Sequence, residues 1–130
     1  MKRFLLIAVL LFSAVTFSYA QESAAKRAFT AGDYSAAVEL YQAAIATAGT
    51  NSALSSGLDT AKKCASLKKK ADAAYSSGSY KTAHQNYQAI LKLNPSDSYV
   101  RGMLAKCSAK DKEAKAEERQ NLEDVLRIGT

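Results

Sequence analysis

The sequence predicts an all-α chain built from two stacked helical hairpins. Three observations carry that reading. Residues 31–45, AGDYSAAVELYQAAI, return 46 positions later as residues 77–91, SGSYKTAHQNYQAIL. Apolar residues step by three and four through most of the chain, which is the period of a helix and not of a strand. One proline, Pro95, stands in 130 residues, so long helices are permitted.

The first twenty residues read as a separate object. Lys2 and Arg3 give a positive start, residues 4–12 are an unbroken apolar run, and Ser18-Tyr19-Ala20 places small residues three and one before a cut ahead of Gln21. This is the three-part plan of a secretory signal peptide, so residues 1–20 are expected to be removed after Ala20. Nothing after residue 20 is apolar for long enough to span a bilayer. Without Lys2 and Arg3 the remaining chain keeps 16 of 18 basic residues against 12 acidic ones, a formal charge of +4. That mild excess, with no Trp and no aromatics interleaved with the basic residues, is a poor basis for nucleic-acid binding.

Residues 21–107 form the expected repeat domain. Ala24, Ala25, Ala28 and Phe29 fall at helical spacing, and Gly32 closes that helix because glycine takes the left-handed conformation at a helix end. Asp33 is placed to cap the next helix, and Ser79 is its counterpart in the second copy. Tyr34, Ala37, Val38, Tyr41, Ala44 and Ile45 then make one apolar stripe. Shifted by 46, Ala25, Ala28, Gly32, Tyr34, Ala37, Tyr41, Gln42 and Ala43 return as Ala71, Ala74, Gly78, Tyr80, Ala83, Tyr87, Gln88 and Ala89. Phe29 is answered by Tyr75, Ile45 by Leu91 and Leu54 by Val100. Repetition of this kind marks stacked supersecondary units.

The phrase of small residue, aromatic, Gly, polar residue, Tyr, Ala and Tyr, ending in Leu93-Asn94-Pro95, resembles the tetratricopeptide repeat over residues 22–107. The resemblance implies a TPR-like solenoid of α-hairpins with two repeats. The period of 46, where the family has 34, is a departure, as is the first copy's ending in Gly49 and Thr50 without proline.

The spare residues are expected to lengthen a helix. Leu54, Leu58, Ala61, Cys64, Leu67, Ala71 and Ala74 step by three or four with no proline, which predicts one helix over 52–76 serving both hairpins. Gly57 weakens it by about 1 kcal/mol relative to Ala. After Pro95, Ser96 or Asp97 caps a further helix over 98 to about 120, with Val100, Leu104 and Cys107 on its apolar stripe. Residues 108–130 are expected to be a charged helix and tail. Leu122, Val125, Leu126 and Ile128 either fold back onto the domain or dock on a partner or a second copy.

No constellation of catalytic type occurs, so a binding protein is expected and not an enzyme. No cofactor is implied. His84 lies one residue past Ala83, off the apolar stripe, and reads as a surface residue. One His and two distant Cys do not match metal-ligand spacing. The family's 34-residue register would set Cys107 beside Ala73 and away from Cys64, so two separate buried thiols are expected and no disulfide.

Tetratricopeptide domains receive a peptide or helix on the face made by their first helices. By that resemblance Lys26, Phe29, Thr30, Lys68, Asp72, Tyr75 and Ser76 are the candidate groove, with Phe29 and Tyr75 equally suited to the core. Asp72 stands where the family's carboxylate clamp has Asn, which argues against capture of a chain terminus. Lys62, Lys63, Lys68, Lys69 and Lys70 form the most one-sided charged run. Three readings follow: an exported, periplasmic scaffold or adaptor that binds an envelope protein, a subunit that self-associates through residues 122–128, or a binder of cell wall or anionic surface through Lys62–Lys70.

Overall fold

The computed structural model describes residues 2–129, with side chains from residue 16 onward. The apolar run of residues 4–12, on which the expected leader rests, lies outside the described side chains. Among the described residues there is no strand, and five helices follow one another: α1 Lys2–Thr30, α2 Tyr34–Ala48, α3 Ser52–Ser76, α4 Tyr80–Leu93 and α5 Ser98–Ile128. Short connections turn each helix back along its predecessor, and packing runs in chain order, α1 on α2, α2 on α3, α3 on α4 and α4 on α5. Among the described residues no helix is long and apolar enough to cross a membrane. α1 passes unbroken through the expected cleavage position, and Ala25, Ala28 and Phe29, which join the core, all follow it.

Two cores result. Ala25, Ala37, Tyr41, Ala44, Leu54 and Ala61 fill the space between α1, α2 and the first half of α3. Cys64, Ala71, Ala83, Tyr87, Ile90, Val100, Met103 and Cys107 fill that between the second half of α3, α4 and α5, and Tyr34 joins them from the start of α2. Alanine at the contact positions lets helix axes come close, and the tyrosine rings fill the gaps beyond. Gly57 has a specific reason: a Cβ there would lie 2.5 Å from the Tyr41 ring. The ring lies against bare backbone, so a weak helix former is the residue that fits.

The two repeated phrases close their first helices identically. Asp33 N–H reaches Ala28 O and Gly32 N–H reaches Phe29 O, both at 2.9 Å; Ser79 and Gly78 repeat this on Ala74 and Tyr75. This double bond pattern requires a left-handed residue, and Gly32 and Gly78 have φ of 84° and 80°. The caps that follow differ. Asp33 accepts from Ala36 N–H, whereas the Ser79 side chain makes no capping bond and its hydroxyl turns to Ser77 instead. The expected cap role of Ser79 is therefore corrected to position alone.

Between the hairpins lies a buried polar knot. The turn after α4 brings Asn94 and Asp97 over the turn between α1 and α2. Tyr34 hydroxyl donates to Asp97 Oδ2 at 2.6 Å, and Asn94 Nδ2 donates to Tyr34 hydroxyl at 3.1 Å and to Phe29 O at 2.6 Å. Asp97 Oδ1 accepts from Val100 N–H at 3.0 Å, so the same carboxylate caps α5. Asp97 is fully buried, and its negative charge sits at the positive end of α5.

α5 departs from expectation at its far end. It runs to Ile128, beyond the expected end near Gln120, and residues 108–128 continue the same helix. Leu122, Val125, Leu126 and Ile128 do not fold back: they are 60%, 66%, 63% and 86% exposed. The helical supports on this stretch are local, Lys110 with Glu113 and Lys115 with Asp111, and they keep it helical past the last core contact.

Substituting the two closing glycines separates backbone strain from packing. Gly78→Ala meets open space and should cost about 1–2 kcal/mol through its positive φ. Gly32→Ala also puts a methyl 2.7 Å from Asp97 Oδ2, which must break the knot. It should cost at least about 3 kcal/mol in urea unfolding followed by far-UV circular dichroism. Equal losses at the two positions would show that the knot carries no stability.

Candidate binding cleft

The knot forms one end of an open cleft of about 590 Å3, lined by the α1–α2 turn with Tyr34 and Ser35 on one side and by Ala65, Lys68, Lys69 and Asp72 of α3 on the other. Lys68 and Asp72 are one helical turn apart and both face inward. Lys68 Nζ donates to Gly32 O at 3.3 Å and lies 4.7 Å from the centre of the Tyr99 ring. A cation is well placed there, because the carbonyl end of α1 is negative and the ring face attracts positive charge. Asp72 accepts from the hydroxyl of Tyr87, and Tyr99 hydroxyl lies 3.4 Å from the same oxygen. The cleft wall thus carries Lys68 and Lys69 against Asp33 and Asp72.

The seven expected groove residues do not make one groove. Lys68 and Asp72 line this cleft. Lys26 and Thr30 lie in a shallower depression of about 440 Å3 with Arg27 and Ser96, where Lys26 pairs with Glu22 at 2.7 Å. Phe29 is half-buried between the two cores, its ring edge-on to Tyr34 at 5.4 Å. Tyr75 is half-buried against Tyr80 at the same spacing, and exposed Ser76 ends α3; both stand outside the two clefts.

The basic run divides in the same way. Lys62, Lys63 and Lys70 are exposed on α3 away from the cleft, Lys69 is exposed at the cleft wall, and none of the ion pairs among the described residues involves these four. Lys68 is turned inward and belongs to the cleft. Sequence reasoning missed Tyr34, Asn94, Asp97 and Tyr99 as parts of this region. A signal existed for one of them: Asp97 is Asn51 shifted by 46, and Asn51 caps α3 through Leu54 N–H as Asp97 caps α5. His84 is partly covered, at the edge of a second groove between α4 and α5. Among the described residues no group of three His, Cys, Asp or Glu could hold a metal.

Cys64 and Cys107 are free, buried and members of the same core. Burial pushes the Cys64 thiol up to about 11, with the nearby Asp97 charge acting the same way, and burial also raises Cys107. These are structural thiols, not nucleophiles. Burial raises Tyr34 and Tyr87 well above the ordinary tyrosine range, assisted by the hydrogen bonds to Asp97 and Asp72 respectively.

No family model matches the chain, and comparison with curated proteins and with solved structures finds no match.

The raised thiol and phenol values set an alkaline limit. The folded chain holds these protons while the unfolded chain loses them, from 9.0 upward for cysteine and from 10.0 for tyrosine. Stability should be flat in these groups below pH ~9 and fall progressively above it, in urea titrations across the alkaline range. Tyr34→Phe and Tyr87→Phe should each flatten the decline. The native chain should leave both thiols unreactive toward a thiol reagent until it is unfolded.

Proposed function

We propose that the chain is an exported interaction module made of two TPR-like hairpins, acting as a scaffold or adaptor in the periplasm, and that it binds a segment of an envelope protein. The observation that carries this reading is the cleft at the junction of the hairpins. Its floor includes Tyr34 and Ala65 and its walls carry both signs of charge, Lys68 and Lys69 against Asp33 and Asp72. Such a surface suits a peptide or helix that presents an acidic and a basic side chain close together. The repeated hairpin phrase and the N-terminal leader pattern supply the rest. The reading is of binding and not of catalysis.

Ser35 is exposed on the cleft rim at the start of α2 and tests the reading without touching the knot. Ser35→Arg should reduce capture of the partner from an envelope extract at least about tenfold while leaving the melting temperature unchanged. Undiminished capture would remove the cleft from the reading.

A second reading rests on Lys62, Lys63, Lys69 and Lys70, which form an unpaired positive strip along α3. Such a strip would hold the chain against cell wall or another anionic surface. Vesicles containing about 30% anionic lipid should then retain the chain at low salt and release it near 0.5 M salt, where the Debye length falls to about 4 Å. Reversal of Lys62 and Lys63 to Glu should abolish the retention. Failure to bind at low salt rejects the surface reading and leaves the cleft unaffected.

A further inference from the structure

The solvated half of α5 carries an ordered pattern. Leu122 follows Leu104, and Val125 follows Cys107, by 18 residues, which is five turns at about 3.6 residues per turn. The apolar stripe that α4 covers at Val100, Leu104 and Cys107 thus reappears on the same face of α5, uncovered. Whatever covers it approaches from the side of α4. There the start of α4 and the middle of α5 enclose a groove of about 560 Å3, lined among others by Tyr80, Lys81, Cys107, Lys112 and Lys115.

Charge identifies the occupant. Residues 106–115 carry four lysines against two carboxylates, and residues 116–128 carry four carboxylates against two arginines. The exposed helix is positive toward the core and negative toward its tip. A second copy running in the opposite direction sets each half against its complement. We infer that two copies of this chain pair through antiparallel α5 helices, each placing its apolar tip in the groove between α4 and α5 of the other.

One register satisfies both patterns. When Lys115 lies beside Glu118 of the second copy, Lys110 lies beside Glu123 of that copy. Val125 and Leu126 of the second copy then reach Ser108 and Cys107, beside the start of α4. Pairing of tips alone would oppose Glu123 and Asp124 to themselves. It would also bury far less than the roughly 1,000 Å2 that a specific interface needs. The full overlap, over about 23 residues, spans roughly 34 Å. It also gives cover to a helix that otherwise stands in water with four large apolar side chains exposed. This inference is independent of the cleft reading.

Sedimentation equilibrium of the full chain tests it. The chain should be a dimer at about 10–100 μM, weakened by salt as expected for a charge-guided pair. Lys110→Glu with Lys115→Glu in one chain, and Glu118→Lys with Glu123→Lys in another, should each raise the dissociation constant at least about tenfold. Mixing the two variants should restore a mixed dimer, which also shows that each is folded. Leu126→Asp should weaken the dimer while leaving the melting of the repeat core unchanged. A monomeric parent chain, charge variants that still dimerise alone, or a mixture that stays monomeric would each overturn the inference.

Discussion

The meeting of the two hairpins is governed by one buried carboxylate. None of the ion pairs among the described residues includes Asp97, and burying a carboxylate costs several kcal/mol unless its oxygens are bonded. It is satisfied only if three separate parts of the chain are in place. Tyr34 must start α2, Val100 must stand in the first turn of α5, and Gly32 must present no side chain. Asn94 adds the carbonyl end of α1 to the same junction. An error in the relative placement of the hairpins leaves a desolvated charge, which is a stronger discrimination than loss of apolar contact among alanines could provide. The knot therefore specifies register as much as it contributes stability.

That specificity is needed because the cores are poor in large aliphatic residues. Alanines dominate the first core, with Leu54 and Tyr41 as its bulky members. Alanine brings backbones together but buries little area, and each tyrosine brings a hydroxyl that must be satisfied. The tyrosines at the hairpin junction meet that demand at carboxylates, Tyr34 at Asp97 and Tyr87 at Asp72. Shape comes from the rings and orientation from their polar ends. Burial, assisted by these bonds, lifts the phenol protons well above neutral pH, so both hydroxyls keep them there.

Much of the fold could be read from spacing alone. The absence of proline between Asn51 and Lys70, with a three-four apolar step throughout, was enough to place α3, because a helix has no local reason to stop there. The closing glycines were legible for the same reason: only a left-handed residue completes their bond pattern. The long-range knot was not legible. Asn94 and Asp97 read as ordinary turn and cap residues, and nothing in a local window says that a cap carboxylate also accepts from a tyrosine 63 residues earlier. The groove residues suggested by the repeat pattern scattered over separate surfaces, because the lengthened α3 sets Lys68 and Asp72 at the hairpin junction while Tyr75 and Ser76 lie beyond it. The C-terminal stripe was legible as a stripe, but whether it is covered depends on what α4 reaches, and α4 begins only at Tyr80.

Consider finally α3 as a mechanical part. Stacked repeats ordinarily adjust their curvature by small rotations at each junction between units. Here the two units share one continuous rod of 25 residues, and its single glycine is clamped under the Tyr41 ring. α3 itself offers no joint at which to bend. On the binding reading proposed above, a guest would have to match a fixed outline, and its grip on one hairpin would be felt at the other as tension along the rod and not as a change of angle.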